Sequence, residues 1–370
     1  MVAQRLKTVL NLGLNVFTLI VFYQYFKGTA MKKLKVVQFG ICHEHANGKF
    51  MTLQKMPGTY ELVGVVDETS WSTTPRFGDY SALFKDVPRL TEEEMYKIPD
   101  LDAVFVEVPN LDLVPVAMRV MEHGLPMHLD KPAGTDLALY KKLLDGCKAK
   151  NLPLQMGYMF RGNPVFKFVQ NMVRNNAFGD IFSIDMDMDH CYGGEPYQEY
   201  LAKMKGGIMF NLGCHLIDYI VSLLGEPTKV HPFLKNTPEL PETTINNTMA
   251  VLEYPHATAC IRTCSRKYSA SVSGERHLRL AGTCGWCELE PLERFDGKPL
   301  VLNFCIKKAV CGFEPGRYTI EFPPQKDRYM VQLQELAEII RGEAKSEYSY
   351  EHDYIVHKVS LAASGYEGLY

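Results

Sequence analysis

The run Leu34-Lys35-Val36-Val37-Gln38-Phe39-Gly40-Ile41-Cys42-His43-Glu44-His45-Ala46 decides the fold of this chain. Its first six residues are the apolar, β-branched stretch of a buried strand, stopped at Gly40, and a helix reads onward over about 46–55. A strand, a glycine turn and a helix in that order open a parallel α/β unit. The pattern then repeats outward. Apolar strands read over 61–66, ending at Asp67; over 102–108, closed by Pro109-Asn110; over 126–129, leading to Asp130-Lys131-Pro132; and over 152–156. A helix start at Thr91-Glu92-Glu93-Glu94, a helix through Glu122 and another over 137–150 lie between them. Strands alternating with helices at this spacing predict a doubly wound parallel sheet. Such sheets bind ligands at the carboxyl ends of their strands, where Gly40, Asp67, Pro109, Asn110, Asp130 and Lys131 all fall.

Beyond about residue 160 the pattern changes. Helices read over 164–175 and over a glycine-bearing segment, 206–224, with an alternating strand at 181–190 before it. Strand-like runs follow at 248–254, 257–264, 277–281, 286–290 and 300–307, then amphipathic helices over 328–341 and 350–364. The expected fold class is therefore α/β plus α+β: a Rossmann sheet, then a large, mainly antiparallel sheet with helices. The expected domains are a nucleotide-binding part over 31–157, a substrate and oligomerisation part over 158–349, and a C-terminal helix, 350–370, returning to the first part. The sheet of the second part is expected to pair copies into a homodimer or homotetramer.

The first thirty residues stand apart. The run at 9–26, VLNLGLNVFTLIVFYQYF, follows Arg5 and Lys7 and precedes Gly28-Thr29-Ala30. It reads as a signal peptide or membrane anchor, or as an extension ahead of a natural start at Met31. A cytoplasmic protein follows from the second reading and an exported or anchored one from the first.

Composition narrows the function. Of 370 residues, 46% are hydrophobic and 22% charged, which excludes a disordered or coiled-coil chain. The net charge of −3, with no Lys/Arg-rich run, disfavours a nucleic-acid partner. The ten cysteines do not form a disulfide framework in a chain this long. Cys260, Cys264, Cys284 and Cys287 could together hold zinc, but their place in alternating strands favours small packing thiols. No metal site is expected.

The turn after the first strand keeps only the first glycine of G-x-G-x-x-G: Cys42 stands at the second position and His45 at the third. His43, Glu44 and His45 read as polar residues lining a nucleotide turn rather than metal ligands, because neighbours in a tight turn point apart. Asp67, ending the second strand, can accept hydrogen bonds from both ribose hydroxyls and repels a 2′-phosphate, and Glu68 adds to that repulsion. NAD is thus favoured over NADP. On the helix at 206–224, Asn211, His215 and Asp218 recur at i, i+4 and i+7, a polar stripe among Ile, Met, Phe and Leu that suits a pocket wall.

Together these segments resemble the Gfo/Idh/MocA oxidoreductases, the family of glucose–fructose oxidoreductase and inositol dehydrogenase. The resemblance rests on Gly40–Ala46, Val108-Pro109-Asn110, Asp130-Lys131-Pro132-Ala133, Gly157-Tyr158-Met159-Phe160-Arg161, Gly206–Asp218 and the stretch from Tyr350 to Gly365. It implies that Lys131 sits by the nicotinamide and the substrate hydroxyl, with Asp130 in place of the usual glutamate. It implies His215 at the substrate, and Asn110 and Arg161 at the cofactor. Asn211 stands where the family has an aspartate; an amide cannot accept a proton from His215, but Asn211 is expected beside Lys131 and His215 in the catalytic set, where it can still hydrogen-bond substrate. Tyr158, Phe160, Tyr192 and Tyr197 are candidates for the substrate wall, with Asp218.

The expected reaction moves a hydride between a secondary hydroxyl of a sugar, glycoside or polyol and nicotinamide. His215 is expected to take the hydroxyl proton while Lys131 stabilises the alkoxide, although the two roles are exchangeable. Two other readings stand beside it. One is a glycosidase that oxidises C3 transiently and eliminates the aglycone. The other is a non-catalytic binding protein, to which Cys42, His45 and Asn211 point.

Overall fold

A computed structural model describes residues 32–42, 44–67, 81–191, 194–268 and 276–370. His43, Glu68, Tyr192 and the first thirty residues lie outside the described set. No helix among the described residues is long and apolar enough to cross a membrane.

The first sheet contains β1 (Leu34–Phe39), β2 (Tyr60–Val66), β3 (Arg89–Leu90), β4 (Ala103–Val106), β5 (Met127–Leu129) and β6 (Leu154–Met156). Their order is β3-β2-β1-β4-β5-β6, and every pairing is parallel. The order reverses between β1 and β4, which opens a crevice at their carboxyl ends. All four residues of β4 are buried, as a strand covered on both faces requires. The connecting helices are α1 (Glu44–Lys55), α2 (Glu92–Tyr96), α3 (Leu113–Glu122) and α4 (Leu137–Ala149). Helix α3 buries Leu113, Val114, Val116, Ala117, Val120 and Met121, the 3.6-residue stripe of a helix laid on a sheet.

The second half begins with α5 (Pro164–Arg174), capped by the Asn163 side chain with Pro at its first turn. It continues with β7 (Ile181–Met188), α6 (Gly194–Ala202) and α7 (Cys214–Leu224). Strands β8 (Lys229–Lys235), β9 (Asn247–Glu253), β10 (Thr258–Cys264), β11 (Arg276–Gly282), β12 (Gly285–Leu289), β13 (Leu300–Ile306) and β14 (Gly316–Phe322) complete an eight-stranded sheet. Its order is β14-β13-β12-β11-β7-β10-β9-β8. Only the central β7–β10 pairing is parallel; the rest are antiparallel. Burial alternates strictly along β13, so one face carries the core and the other is more open.

Two C-terminal helices tie the halves together. Helix α8 (Met330–Ile340) lays Leu333, Leu336 and Ala337 against Val36, Tyr60 and Phe105 of the parallel sheet. The Tyr60 hydroxyl donates to the Leu333 carbonyl at 2.6 Å. Helix α9 (Tyr350–Ala363) sets His357 edge-on to Tyr140 of α4, with ring centroids 4.8 Å apart.

Candidate active site

A cleft of about 800 Å³ opens at the carboxyl ends of β5 and β6, between α1 and the start of α7. Its polar wall comes from His45 of α1, Lys131 of the turn after β5, Asn211 and His215 of the segment entering α7, and a cluster of Arg276, Glu293 and Arg328 drawn from three further stretches.

Local sequence explains how each arrives. Gly40 ends β1 with φ +98°, and a Cβ there would meet the Glu107 carbonyl at 2.7 Å. Only glycine accepts both constraints, so the turn stays tight against β4. The helix read over 206–224 divides in two: a π-helical turn at Met209–Gly213 precedes α7. That wider turn is entered through Gly207, at φ +46°, where a Cβ would overlap the Ile245 carbonyl oxygen.

The Lys131 ammonium, in a residue 2% exposed, donates to the Asn211 carbonyl at 2.8 Å. Asn110 holds the Lys131 backbone from β4's side by donating its amide to the Lys131 carbonyl, also at 2.8 Å. Asn211 turns its own amide toward the Tyr197 hydroxyl, 2.9 Å away, and so gives His215 no carboxylate. His215 packs edge-on to Tyr158 and Phe160, and its Nδ1 is buried with no partner. Burial first, then the Lys131 and His45 charges, hold its imidazole well below the ordinary histidine range. It is therefore neutral at physiological pH.

His45 is placed differently. Its Nδ1 faces the Asp130 carboxylate at 2.8 Å, and the ring remains 21% exposed along the cleft. Beneath Asp130 lies a wholly buried set, in which Glu107 meets Lys49 at 3.4 Å and His128 at 3.6 Å. Burial pushes the Glu107 carboxyl up to about 8, against the pull of Lys49. On the far wall, Glu293 binds both Arg276, at 2.8 Å, and Arg328, at 2.7 Å. One carboxylate shared by two guanidinium groups, beside Lys131, leaves this wall net positive.

The structure thus brings Lys131, Asn211, His215 and His45 to one cavity. Tyr197 also lines it. It does not bring Asp218, Arg161, Tyr158 or Phe160 there. Asp218 lies one turn further along α7, where Arg161 grips it at 2.6 Å; the same guanidinium holds Asp353 of α9, also at 2.6 Å. All three are at most 4% exposed. The i, i+4, i+7 stripe is therefore split: its first two members face the cleft, and the third is drawn into a buried ion cluster. Tyr158 lies beneath His215, 4.9 Å from the Arg161 guanidinium.

Asp67 also differs from expectation. It is not a lone carboxylate, because Arg89 of β3 reaches it at 2.8 Å. The cation missing from the residues just after Asp67 comes instead from the neighbouring strand. Arg276, Glu293 and Arg328 were not legible in the sequence, because no local motif joins residues so far apart. Among the described residues, no three His, Cys, Asp or Glu side chains gather into a metal-binding group.

Fold and cleft together define an α/β protein in which a Rossmann-type parallel sheet presents a cationic pocket beside a large, mainly antiparallel sheet. Residues 166–288 match the domain described as the GFO/IDH/MocA C-terminal domain. That stretch of the chain is similar to the C-terminal domain of the Gfo/Idh/MocA oxidoreductases. The chain is 25% identical over 141 residues to the rhizopine catabolism protein MocA of Rhizobium meliloti, covering 37% of this chain and 43% of that one. It is 25% identical over 138 residues to the D-apiose dehydrogenase of Paraburkholderia graminis, covering 35% and 37%. Both alignments span less than half of the relative's length. In fold it is similar to an oxidoreductase from Agrobacterium radiobacter, solved in complex with NAD+, L-tartaric acid and magnesium. That match has a TM-score of 0.72 at 15% identity, over 90% of this chain and 95% of that one.

Proposed function

We propose that the protein is a nicotinamide-dependent oxidoreductase acting on a secondary hydroxyl of a sugar, glycoside or polyol. The observation that carries this reading is the buried Lys131 side chain lining one cleft with the His215 imidazole, at the carboxyl end of β5. An ammonium in a dry pocket stabilises the negative charge that grows on an alcohol oxygen as its hydride departs. A neutral imidazole accepts a hydrogen bond from the same hydroxyl.

The residues fit a dinucleotide. The Gly40 turn packs against Glu107 and Val108 after β4 and so leads directly into the amino end of α1, where a pyrophosphate would find backbone N–H groups. Asn110 Oδ1 is buried without a partner at the carboxyl end of β4, an acceptor awaiting a donor. Gly40, Ile41 and Cys42 would meet the phosphates, Asp67 the adenosine ribose, and Asn110 with Lys131 the nicotinamide end. The bound nucleotide supplies the hydride acceptor. The Arg89 pairing makes NAD a preference over NADP rather than an exclusion, since that guanidinium can also meet a 2′-phosphate.

In this proposal residues 31–157 carry the cofactor, 158–349 the substrate wall, and 350–370 the returning helix. The open face of the eight-stranded sheet, which carries Phe233 at 49% exposure, pairs copies into a homodimer or homotetramer.

The test is to incubate the purified protein with NAD and a panel of hexoses, glycosides and inositols, following NADH absorbance and carbonyl product. Net NADH with one substrate class supports the reading. Aglycone release without net NADH replaces it with the redox-neutral glycosidase. Absence of nucleotide binding replaces it with a binding protein on the same fold.

A further inference from the structure

We propose that His45, oriented by Asp130, is a further catalytic residue of this site: the group that takes the hydroxyl proton during oxidation and returns it during reduction. The inference rests on the oxidoreductase reading above and assigns the acid–base step within it.

Two imidazoles line the cleft, and they differ in what surrounds them. An effective catalytic histidine has one ring nitrogen held by a carboxylate, which fixes the tautomer and stabilises the imidazolium once the proton arrives. His215 has no such support. Its Nδ1 is buried and unpartnered, and the side chain that could have supplied a carboxylate is the amide of Asn211, committed to Tyr197. Lys131 and burial both disfavour its cation. His45 has the support: Nδ1 donates to Asp130 Oδ2 at 2.8 Å, and the ring, 21% exposed, keeps contact with solvent for proton exchange. Its partner belongs to the same Asp130-Lys131 turn that delivers the ammonium, so the carboxylate, the cation and the imidazole form one unit.

The charged and titratable groups around His45 come from several elements. Lys49 lies one turn along α1. Glu107 and His128 lie at the ends of β4 and β5, Asp130 and Lys131 follow β5, His215 faces it from α7, and Arg328 lines the far wall. The amino end of α1 also disfavours a cation, so Asp130 is the group that makes protonation accessible.

The step balances. The substrate C–H bond breaks and its electron pair leaves with hydrogen as hydride to the oxidised nicotinamide. The O–H bond breaks, the carbonyl forms, and the proton binds His45 Nε2. The Asp130 carboxylate remains ionised. Lys131 keeps its protons throughout, and His215 positions the hydroxyl.

The experiment compares wild type with His45→Gln, His215→Gln and Asp130→Asn. In the nucleotide-free protein, NMR of labelled histidine should show one ring whose signals vanish in His45→Gln and whose titration moves to lower pH in Asp130→Asn. With NAD and the best substrate from the panel, His45→Gln should lower kcat by about 10²–10⁴-fold. It should also remove the acid limb of the kcat/KM profile while leaving NAD binding intact. His215→Gln should raise KM and keep the limb. If wild type binds no nicotinamide nucleotide, the oxidoreductase reading fails and the inference with it. If nucleotide binds and turnover proceeds, but His45→Gln keeps the wild-type kcat and pH profile, only the inference is overturned. Loss of the acid limb in His215→Gln instead would assign the step to that residue.

Discussion

Replacing Arg161 with methionine should destabilise the fold strongly and leave the cleft chemistry untouched in the molecules that remain folded. Arg161 is the only cation within 3 Å of two buried carboxylates among the described residues, touching Asp218 and Asp353 at 2.6 Å each. It joins the 3₁₀ turn at Met159–Gly162 to α7 and α9. Removing one partner of a buried ion pair costs about 3–5 kcal/mol, because the charge left behind keeps its desolvation penalty. That is a large part of a typical total of about 5–15 kcal/mol.

The loss should depend on pH. Burial works to raise the Asp218 carboxyl, but the Arg161 charge and hydrogen bonds from His352 and Arg161 outweigh it and hold that carboxyl below its usual range. A depressed carboxyl adds stability above its unfolded pKa and loses it as pH falls through the folded value. Asp353 has the opposite sign: burial outweighs Arg161 and raises its carboxyl, so its contribution fades as pH rises. Without Arg161 both carboxyls are pushed up. The deficit of the variant is then greatest near neutral pH and narrows toward about pH 5. Urea unfolding followed by circular dichroism at the two pH values measures it. An unchanged midpoint together with weakened nucleotide binding would refute the argument and restore Arg161 as a cofactor contact.

Other substitutions test the cleft itself. Lys131→Met should lower kcat by about 10²–10³-fold while the circular dichroism spectrum is retained, since it removes the buried amine that the proposed function sets at the reacting oxygen. Asp67→Ser should move the ratio of NAD to NADP dissociation constants toward NADP by about tenfold, or about 1.4 kcal/mol, by freeing Arg89; equilibrium titration of both nucleotides reads it. Gly40→Ala should cost about 1–3 kcal/mol in urea unfolding and weaken nucleotide binding, because it combines φ +98° with a 2.7 Å approach to the Glu107 carbonyl.

Much of the parallel sheet was legible because its strands are short apolar runs ending in glycine, aspartate or proline, and each helix between them carries its own periodic stripe. The second sheet was less legible at its rims. The strands missing from the sequence reading, β8 and β14, are its two edges. Neither has a fully buried residue: β8 is interrupted by Pro232, and β14 alternates only between half-buried and exposed residues, a weaker signal than a core strand gives. The polar stripe of Asn211, His215 and Asp218 was legible as a pattern, but its division was not. A π-helical turn changes the spacing ahead of His215, and the ion cluster that captures Asp218 draws on Arg161 and Asp353, distant in sequence. Likewise His45 could be read only as an odd residue in a glycine turn until the fold placed Asp130, 85 positions away, against its ring.

The central claim is that this cleft serves a nicotinamide nucleotide. The most direct measurement is calorimetric titration of the purified protein with NAD and with NADP, alongside mass analysis of any nucleotide released on denaturation. The account predicts saturable binding of NAD, with NADP weaker, and reduced affinity in Gly40→Ala. Absence of heat for both nucleotides, with none released from the denatured protein, would contradict it.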